Sequence, residues 1–272
     1  MSAEPTLVVD LALSRRLERA EAHANARFVE SRARLVPSVG ACWTDVGGTY
    51  AMFDGVGSPL TQTFGLGLFE PVTPWMLDAI ESFFRERQAE VFHEVSPLAG
   101  ADTLTVLNAR GYQPCELTTV LFQPLEFSAR PAPDTPFIVR TVAVEEREVW
   151  ARTAFDGWSE FPEVREFMAA FGPTAAGAED AYPFIALEGE VPIASGSLSL
   201  HGGVALLSGA STIPGARGRG AQRALLAARL RFAAEQGCSL AMMCAAPGSA
   251  SQRNAERSGF RIAYTRTKWR GR

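Results

Sequence analysis

The segment from Ala205 to Leu230 constrains the fold more than any other part of the chain. An apolar run ends at Ile213-Pro214, and a short loop, Arg217-Gly218-Arg219-Gly220-Ala221-Gln222, follows it. Apolar residues then recur at Leu225, Leu226, Leu230 and Ala233, the spacing of one helix face. A strand that turns through a glycine loop into a long helix is α/β grammar. The turns Glu188-Gly189-Glu190 and His201-Gly202-Gly203 upstream predict three antiparallel strands, Pro183–Leu187, Ile193–Leu200 and Val204–Ser211.

The same alternation runs along both halves. In the first half, helices are predicted over Leu11–Leu35, with charge on one face, over Trp75–Arg87 after Pro74, and over Asp102–Arg110 with Asp102 as N-cap. Strands are predicted at Cys42–Asp45, Thr49–Phe53, Thr61–Leu68, Glu90–Val95 and Leu117–Gln123. In the second half, Phe137–Thr141 reads as a strand and Val144–Ala154 and Pro162–Phe171 as helices. The loop leads into a helix over Gly218–Gln236, a strand over Ser239–Ala245, a helix over Ser249–Ser258 and a last strand over Ile262–Trp269.

The 272 residues exceed what one core ordinarily serves, and two domains are expected. Pro131, Pro133 and Pro136 fall within six residues and mark a linker. The expected division is 1–127, a linker at 128–136, and 137–272. A faint repeat supports duplication. Asn108-Ala-Arg-Gly-Tyr112 precedes the last strand of the first half, as Glu256-Arg-Ser-Gly-Phe260 precedes that of the second.

Net charge is −4 and uneven. Residues 1–136 carry 10 basic and 17 acidic side chains, and residues 137–272 carry 16 and 13. The late basic cluster, set in an acidic chain, suits a small anion better than nucleic acid. No apolar run reaches the ~20 residues of a membrane span, and Met1–Asp10 has no secretory pattern, so a cytoplasmic location is expected. Cys42, Cys115, Cys238 and Cys244 form no Cys-x-x-Cys pair, and the three histidines are scattered; no metal site is expected.

The loop carries the chemistry. A helix start leaves about four backbone N–H groups unpaired, and the aligned peptide dipoles make that end positive. Glycines at 218 and 220 leave those donors open, and Arg217 and Arg219 add charge, which makes an anion cradle. It is not a Walker A loop, for it lacks Gly-Lys-Ser/Thr, nor a dinucleotide fingerprint, for it lacks the third glycine and the βαβ context.

Here the chain resembles the GNAT superfamily, the Gcn5-related N-acetyltransferases, whose pattern after the fourth strand is Gln/Arg-x-x-Gly-x-Gly/Ala. Arg217 and Gly220 match it, and Gln222 departs from the usual small residue. The resemblance covers about Phe137 to Trp269. It implies two mixed, mostly antiparallel α/β (α+β) domains. It implies acetyl-CoA in a wedge between splayed strands, with pantetheine along Ser211, Thr212 and Ile213 and diphosphate on Arg217, Gly218, Arg219, Gly220, Ala221 and Gln222. Asn254 lies in the later helix that often contacts the coenzyme. The implied reaction is direct attack of an amine, on a small molecule or peptide, on the thioester.

The family's usual tyrosine acid falls on Ala255, and its frequent glutamate is absent from Val204–Thr212. Ser208, Ser211, His201 and Glu160 are the remaining candidates for acid or base. Cys244 reads as a buried thiol more readily than as an acyl acceptor, His201 as a solvated turn residue, and His93 as a packing residue. Phe155, Trp158 and Phe161 are candidates for the acceptor pocket, and core packing explains them equally well. In the first half, Thr63-Phe-Gly-Leu-Gly-Leu-Phe-Glu-Pro71 occupies the cradle's place without arginine. That half is expected to be a degenerate copy without coenzyme. A non-catalytic acyl-CoA sensor and a nucleotide-free scaffold are the competing readings, and a homodimer is allowed for.

Overall fold

The computed structural model describes residues 8–125, 135–161 and 165–271. The first half contains α1 (Leu11–Leu35), β1 (Cys42–Val46), β2 (Thr49–Phe53), β3 (Gln62–Phe64), α2 (Pro74–Arg85), β4 (Phe92–Val95), α3 (Gly100–Ala109) and β5 (Gln113–Pro124). The second contains β6 (Ile138–Thr141), α4 (Arg147–Gly157), α5 (Arg165–Gly177), β7 (Ala181–Glu188), β8 (Val191–His201) and β9 (Val204–Thr212). It continues with α6 (Ala221–Glu235), β10 (Leu240–Ala245), α7 (Ala250–Arg257) and β11 (Arg261–Arg270). Most of the expected linker, 128–134, and the start of the helix expected at Pro162 lie outside the described residues.

The expected mixed, mostly antiparallel sheet is present, and the two halves share it. Its order is β1-β2-β3-β4-β11-β5-β10-β9-β8-β7-β6. The last strand of each half crosses into the other. β11 pairs with β4 of the first half, and β5 pairs with β10 of the second. The two crossing strands also pair with each other, from Arg261↔Phe122 to Arg270↔Gln113. Each half thus supplies a strand that the other needs to close its sheet.

Helices cover both faces. α1 lies across one face, where Leu13, Leu17 and Ala20 pack on Val120, Phe122, Val204, Leu206 and Met242. Farther along, Ala26 and Val29 of α1 meet Met52 and Phe64 of the first half. α6 covers the opposite face of the second half, its Ala224, Leu225 and Ala233 packed on Ala194, Leu198, Ala205, Leu207 and Ala241. Alternate residues of β9 and β10 face each helix, as a strand with two covered faces requires.

Three expectations change. The strand expected over Thr61–Leu68 stops at Phe64, because Gly65 and Gly67 take positive φ (84° and 76°) and turn the chain. α3 begins at Gly100 with Ala99 at its cap, so Asp102 sits in its first turn. The charged face of α1 is not all solvated: Glu18 and Glu21 point into the sheet, buried beside Arg266 of β11.

Candidate functional site

β9 and β10 run parallel and pair only at Val204↔Leu240, Ala205↔Ala241 and Leu206↔Met242. Beyond that they part, while β9 continues beside β8 to Thr212. Between Ser195↔Ser211 and Ser197↔Ser208 the register slips, so β9 carries a bulge at Gly209 (φ 60°) and Ala210. A wedge therefore opens where β9 is bulged and β10 has left it.

The glycine loop stands at the end of this wedge. Helix α6 starts at Ala221, three residues later than its expected start, and Gly220 forms its N-cap in left-handed conformation (φ 94°). Asp10, Thr73 and Ser249 cap α1, α2 and α7 with side-chain hydrogen bonds, and Gly220 offers none. A Cβ built at Gly218 or Gly220 meets nothing within 4 Å, so the helix mouth is open. Residues 218–222 thus have the form an anion cradle needs.

The arginines behave differently from expectation. Arg217 turns away from the mouth, donating from Nε to the Thr212 carbonyl (3.2 Å) and from Nη2 to the Gly157 carbonyl (3.0 Å). Its third nitrogen meets the Glu160 carboxylate. Arg219 pairs with Glu188. Gln222 donates to the Ser211 carbonyl (2.7 Å) and to Thr212 Oγ1 (2.8 Å). The Ile213 amide donates to the Ile193 carbonyl (3.0 Å). Hence the carbonyls of Ser211 and Thr212 already have donors, and the cradle's positive potential comes chiefly from the helix end.

The other candidates divide by place. Ser211 is buried, its hydroxyl donating to the Ala154 carbonyl (3.2 Å) and meeting Ser195 Oγ (3.1 Å). Ser208 is exposed on β9, next to the bulge. Glu160 is held by Arg217. Phe155, Trp158 and Phe161 flank the Gly157–Glu160 turn that Arg217 ties to the loop; Trp158 and Phe161 lie 5.6 Å apart. Asn254 is exposed on α7, its side chain accepting from Arg257 (3.4 Å) and its carbonyl from Ser258. Ala255, where the family's tyrosine would stand, is buried.

His201 lies at the opposite end of β9 from the loop, stacked on His23 with centroids 3.9 Å apart; burial and the neighbouring His23 lower its pKa. Cys244 donates to Glu21 (3.2 Å), and burial with that carboxylate raises its thiol well above the usual range. It is not activated as a nucleophile. His93 is buried, its Nδ1 2.7 Å from Thr63 Oγ1, and burial lowers it to about 3, so it is neutral. Among the described residues no group of three or more His, Cys, Asp or Glu could hold a metal, and no helix is long and apolar enough to cross a membrane.

Sequence reasoning missed two features. One is the buried set of Glu18, Glu21, Glu94 and Arg266 where the halves meet. The other is Arg229, 3% exposed, reaching the backbone of β8 and β9 beside the bulge. Its spacing of four from Leu225 and Ala233 placed it on the buried stripe, and that signal was readable.

Among the described residues, the helix that follows the first-half glycine loop begins differently from α6. Thr73 caps α2, and Pro74 at its first position has no N–H to offer. A Cβ at Gly67 would overlap Thr103 Oγ1, so the corresponding loop is packed against α3.

A family model described as the acetyltransferase (GNAT) family matches residues 144–260. The fold resembles a GCN5-related N-acetyltransferase from Kribbella flavida at a TM-score of 0.62 and 19% identity, over 90% of this chain and 95% of that one. It also resembles a tandem GNAT protein from the clavulanic acid biosynthesis pathway (TM-score 0.58, 14% identity, 82% and 78% covered). A third is a GCN5-related N-acetyltransferase from Sphaerobacter thermophilus (TM-score 0.56, 16% identity, 77% and 71% covered). No curated protein matches the sequence.

Proposed function

From the premise that residues 144–260 are a domain of the GNAT family, we propose that the protein is an N-acetyltransferase that moves an acetyl group from acetyl-CoA to an amine. One observation carries this reading: an uncapped, unobstructed helix mouth at Gly218–Gln222 opens beside the wedge where β9 and β10 part. The mouth suits a diphosphate, and the wedge suits the extended arm that joins it to the thioester.

When bound, acetyl-CoA supplies the thioester. The neutral amine forms the new C–N bond at the carbonyl carbon, the C–S bond breaks, and the amine's proton leaves as CoA departs as thiol. The chain contributes backbone donors at the bulge, which polarise the carbonyl, and the loop, which fixes the diphosphate. The aromatic turn at Phe155, Trp158 and Phe161 borders the side from which an amine would enter. The first half, with Pro74 at its helix start and a filled loop, is a copy that has lost coenzyme binding and now completes the sheet.

Mixing the protein with acetyl-CoA and a panel of amines, and following free thiol, tests this. Acceptor-dependent release supports it; saturable binding without release favours an acyl-CoA sensor. A specific observation speaks for that second reading: Glu160 is ion-paired and Ser211 is buried and hydrogen-bonded, so neither is free to carry a proton.

A further inference from the structure

Arg229 is a cation in an unexpected place. It projects from α6 into the β8–β9 ladder, donating from Nη1 to the Ser197 carbonyl (3.0 Å) and to the Ser208 carbonyl (3.4 Å), with Nε on Leu225 O (3.4 Å). Among the described residues it makes no ion pair, and burial lowers it to about 10. Burying an unpaired charge is costly, and a side chain kept there needs a reason.

The local sequence makes room for it. A Cβ at Gly196 would come within 3.0 Å of the guanidinium carbon and Nη1, so β8 carries glycine where the arginine crosses it. From the other face, Trp150 Nε1 donates to the Gly196 carbonyl (3.2 Å) and to Phe184 O (3.0 Å). The stretch of β8 opposite the bulge is therefore held from both sides.

Ser208 immediately precedes the bulge residue Gly209. The carbonyl and N–H of one planar trans peptide point in opposite directions. A Ser208 carbonyl held toward β8 and Arg229 turns the Gly209 N–H toward the side from which β10 has parted. A cation on the carbonyl also polarises the peptide and makes its N–H a stronger donor.

We propose that Arg229 is a positioning residue that acts through the Ser208–Gly209 peptide, aiming and strengthening the Gly209 N–H as a donor to the thioester oxygen. The proposal rests on the transferase reading above. It assigns Arg229 no contact with the coenzyme, so affinity and carbonyl polarisation should separate.

The test is isotope-edited infrared spectroscopy of [1-13C]acetyl-CoA bound to the full-length protein, paired with calorimetric titration. In the wild type the bound carbonyl stretch should move to lower wavenumber than in free acetyl-CoA. In Arg229→Met it should return toward the free value, while affinity stays within about twofold. Arg229→Lys, which keeps the charge and loses the fork, should fall between, and it serves if the methionine variant does not fold. With a working acceptor, kcat should fall about tenfold to a hundredfold, as when an oxyanion donor is weakened, with KM for acetyl-CoA unchanged. A stretch that stays shifted in the variants overturns the role of Arg229 and leaves the transferase reading intact. Loss of affinity along with the shift means that Arg229 only supports the fold, which also overturns it. A wild type that binds no acetyl-CoA removes the transferase reading, and the proposal with it.

Discussion

Arg217 closes on Glu160 and at the same time braces the carbonyls of Thr212 and Gly157, so one guanidinium joins the end of β9, the end of α4 and the glycine loop. Its task is to hold the cradle's shape more than to face an anion.

Arg217→Ala should therefore weaken acetyl-CoA binding by about tenfold, the worth of one or two lost hydrogen bonds. Glu160→Gln should change it less than about threefold, since the pair is exposed and such pairs contribute little. Calorimetric titration of both variants decides between shape and charge: equal losses would mean that the ion pair, not the carbonyl brace, holds the loop.

Two glycines predict opposite phenotypes. Gly220→Asp places a carboxylate at the open helix mouth and forces a side chain into φ 94°, so acetyl-CoA affinity should fall by about a hundredfold or more, with Gly220→Ala milder. Gly67→Asp drives a side chain into Thr103 and should cost about 3 kcal/mol of stability through overpacking and backbone strain. Denaturant melts and titrations on both proteins would expose a misassigned half if their roles came out reversed.

The buried cluster gives a pH prediction. Burial raises Glu18 from its ordinary 4.5 to about 7, against the opposing pull of Arg266, whereas Glu21 is lowered because Arg266 attracts and hydrogen-bonds it strongly enough to overcome its own burial. The folded state thus keeps a proton on Glu18 that the unfolded chain gives up above pH 4.5. That contribution is full below pH 4.5 and is lost as pH rises to about 7. Relative to Glu18→Gln, the wild type should lose about 3 kcal/mol across this window. Urea midpoints for the two proteins should diverge between pH 4.5 and 7, and parallel curves would show Glu18 ionised throughout.

Neither half should fold alone. Residues 137–272 lack β5, which separates β10 from β11, and residues 1–127 lack β11, which separates β4 from β5. Each fragment expressed separately should show little cooperative unfolding, and the two co-expressed should recover it. A fragment 137–272 that melts cooperatively by itself would contradict this.

Much of this architecture was legible in the sequence because its signals are local. The helix at Leu11–Leu35, the hairpins at Gly189 and Gly202–Gly203, and the loop from Arg217 to Gln222 follow from period, turn residues and helix-end chemistry. The repeat at Gly111-Tyr112 and Gly259-Phe260 was visible too, and both glycines take positive φ just before the crossing strands. That those strands pair with each other was not legible. Their pairing joins residues about 140 or more apart in sequence, from Arg261↔Phe122 to Arg270↔Gln113, and no local signal carries it. The burial of Glu18 and Glu21 is not legible locally, because their partner, Arg266, lies about 250 residues away in sequence. Arg229 lies close in sequence to the basic loop, yet its four-residue spacing from Leu225 and Ala233 puts it inside.

The place of β11 has a consequence for biosynthesis. β4 and β5 leave the ribosome well before Arg261–Arg270, the strand that stands between them. Until that strand has been made, the edges it covers stay unprotected.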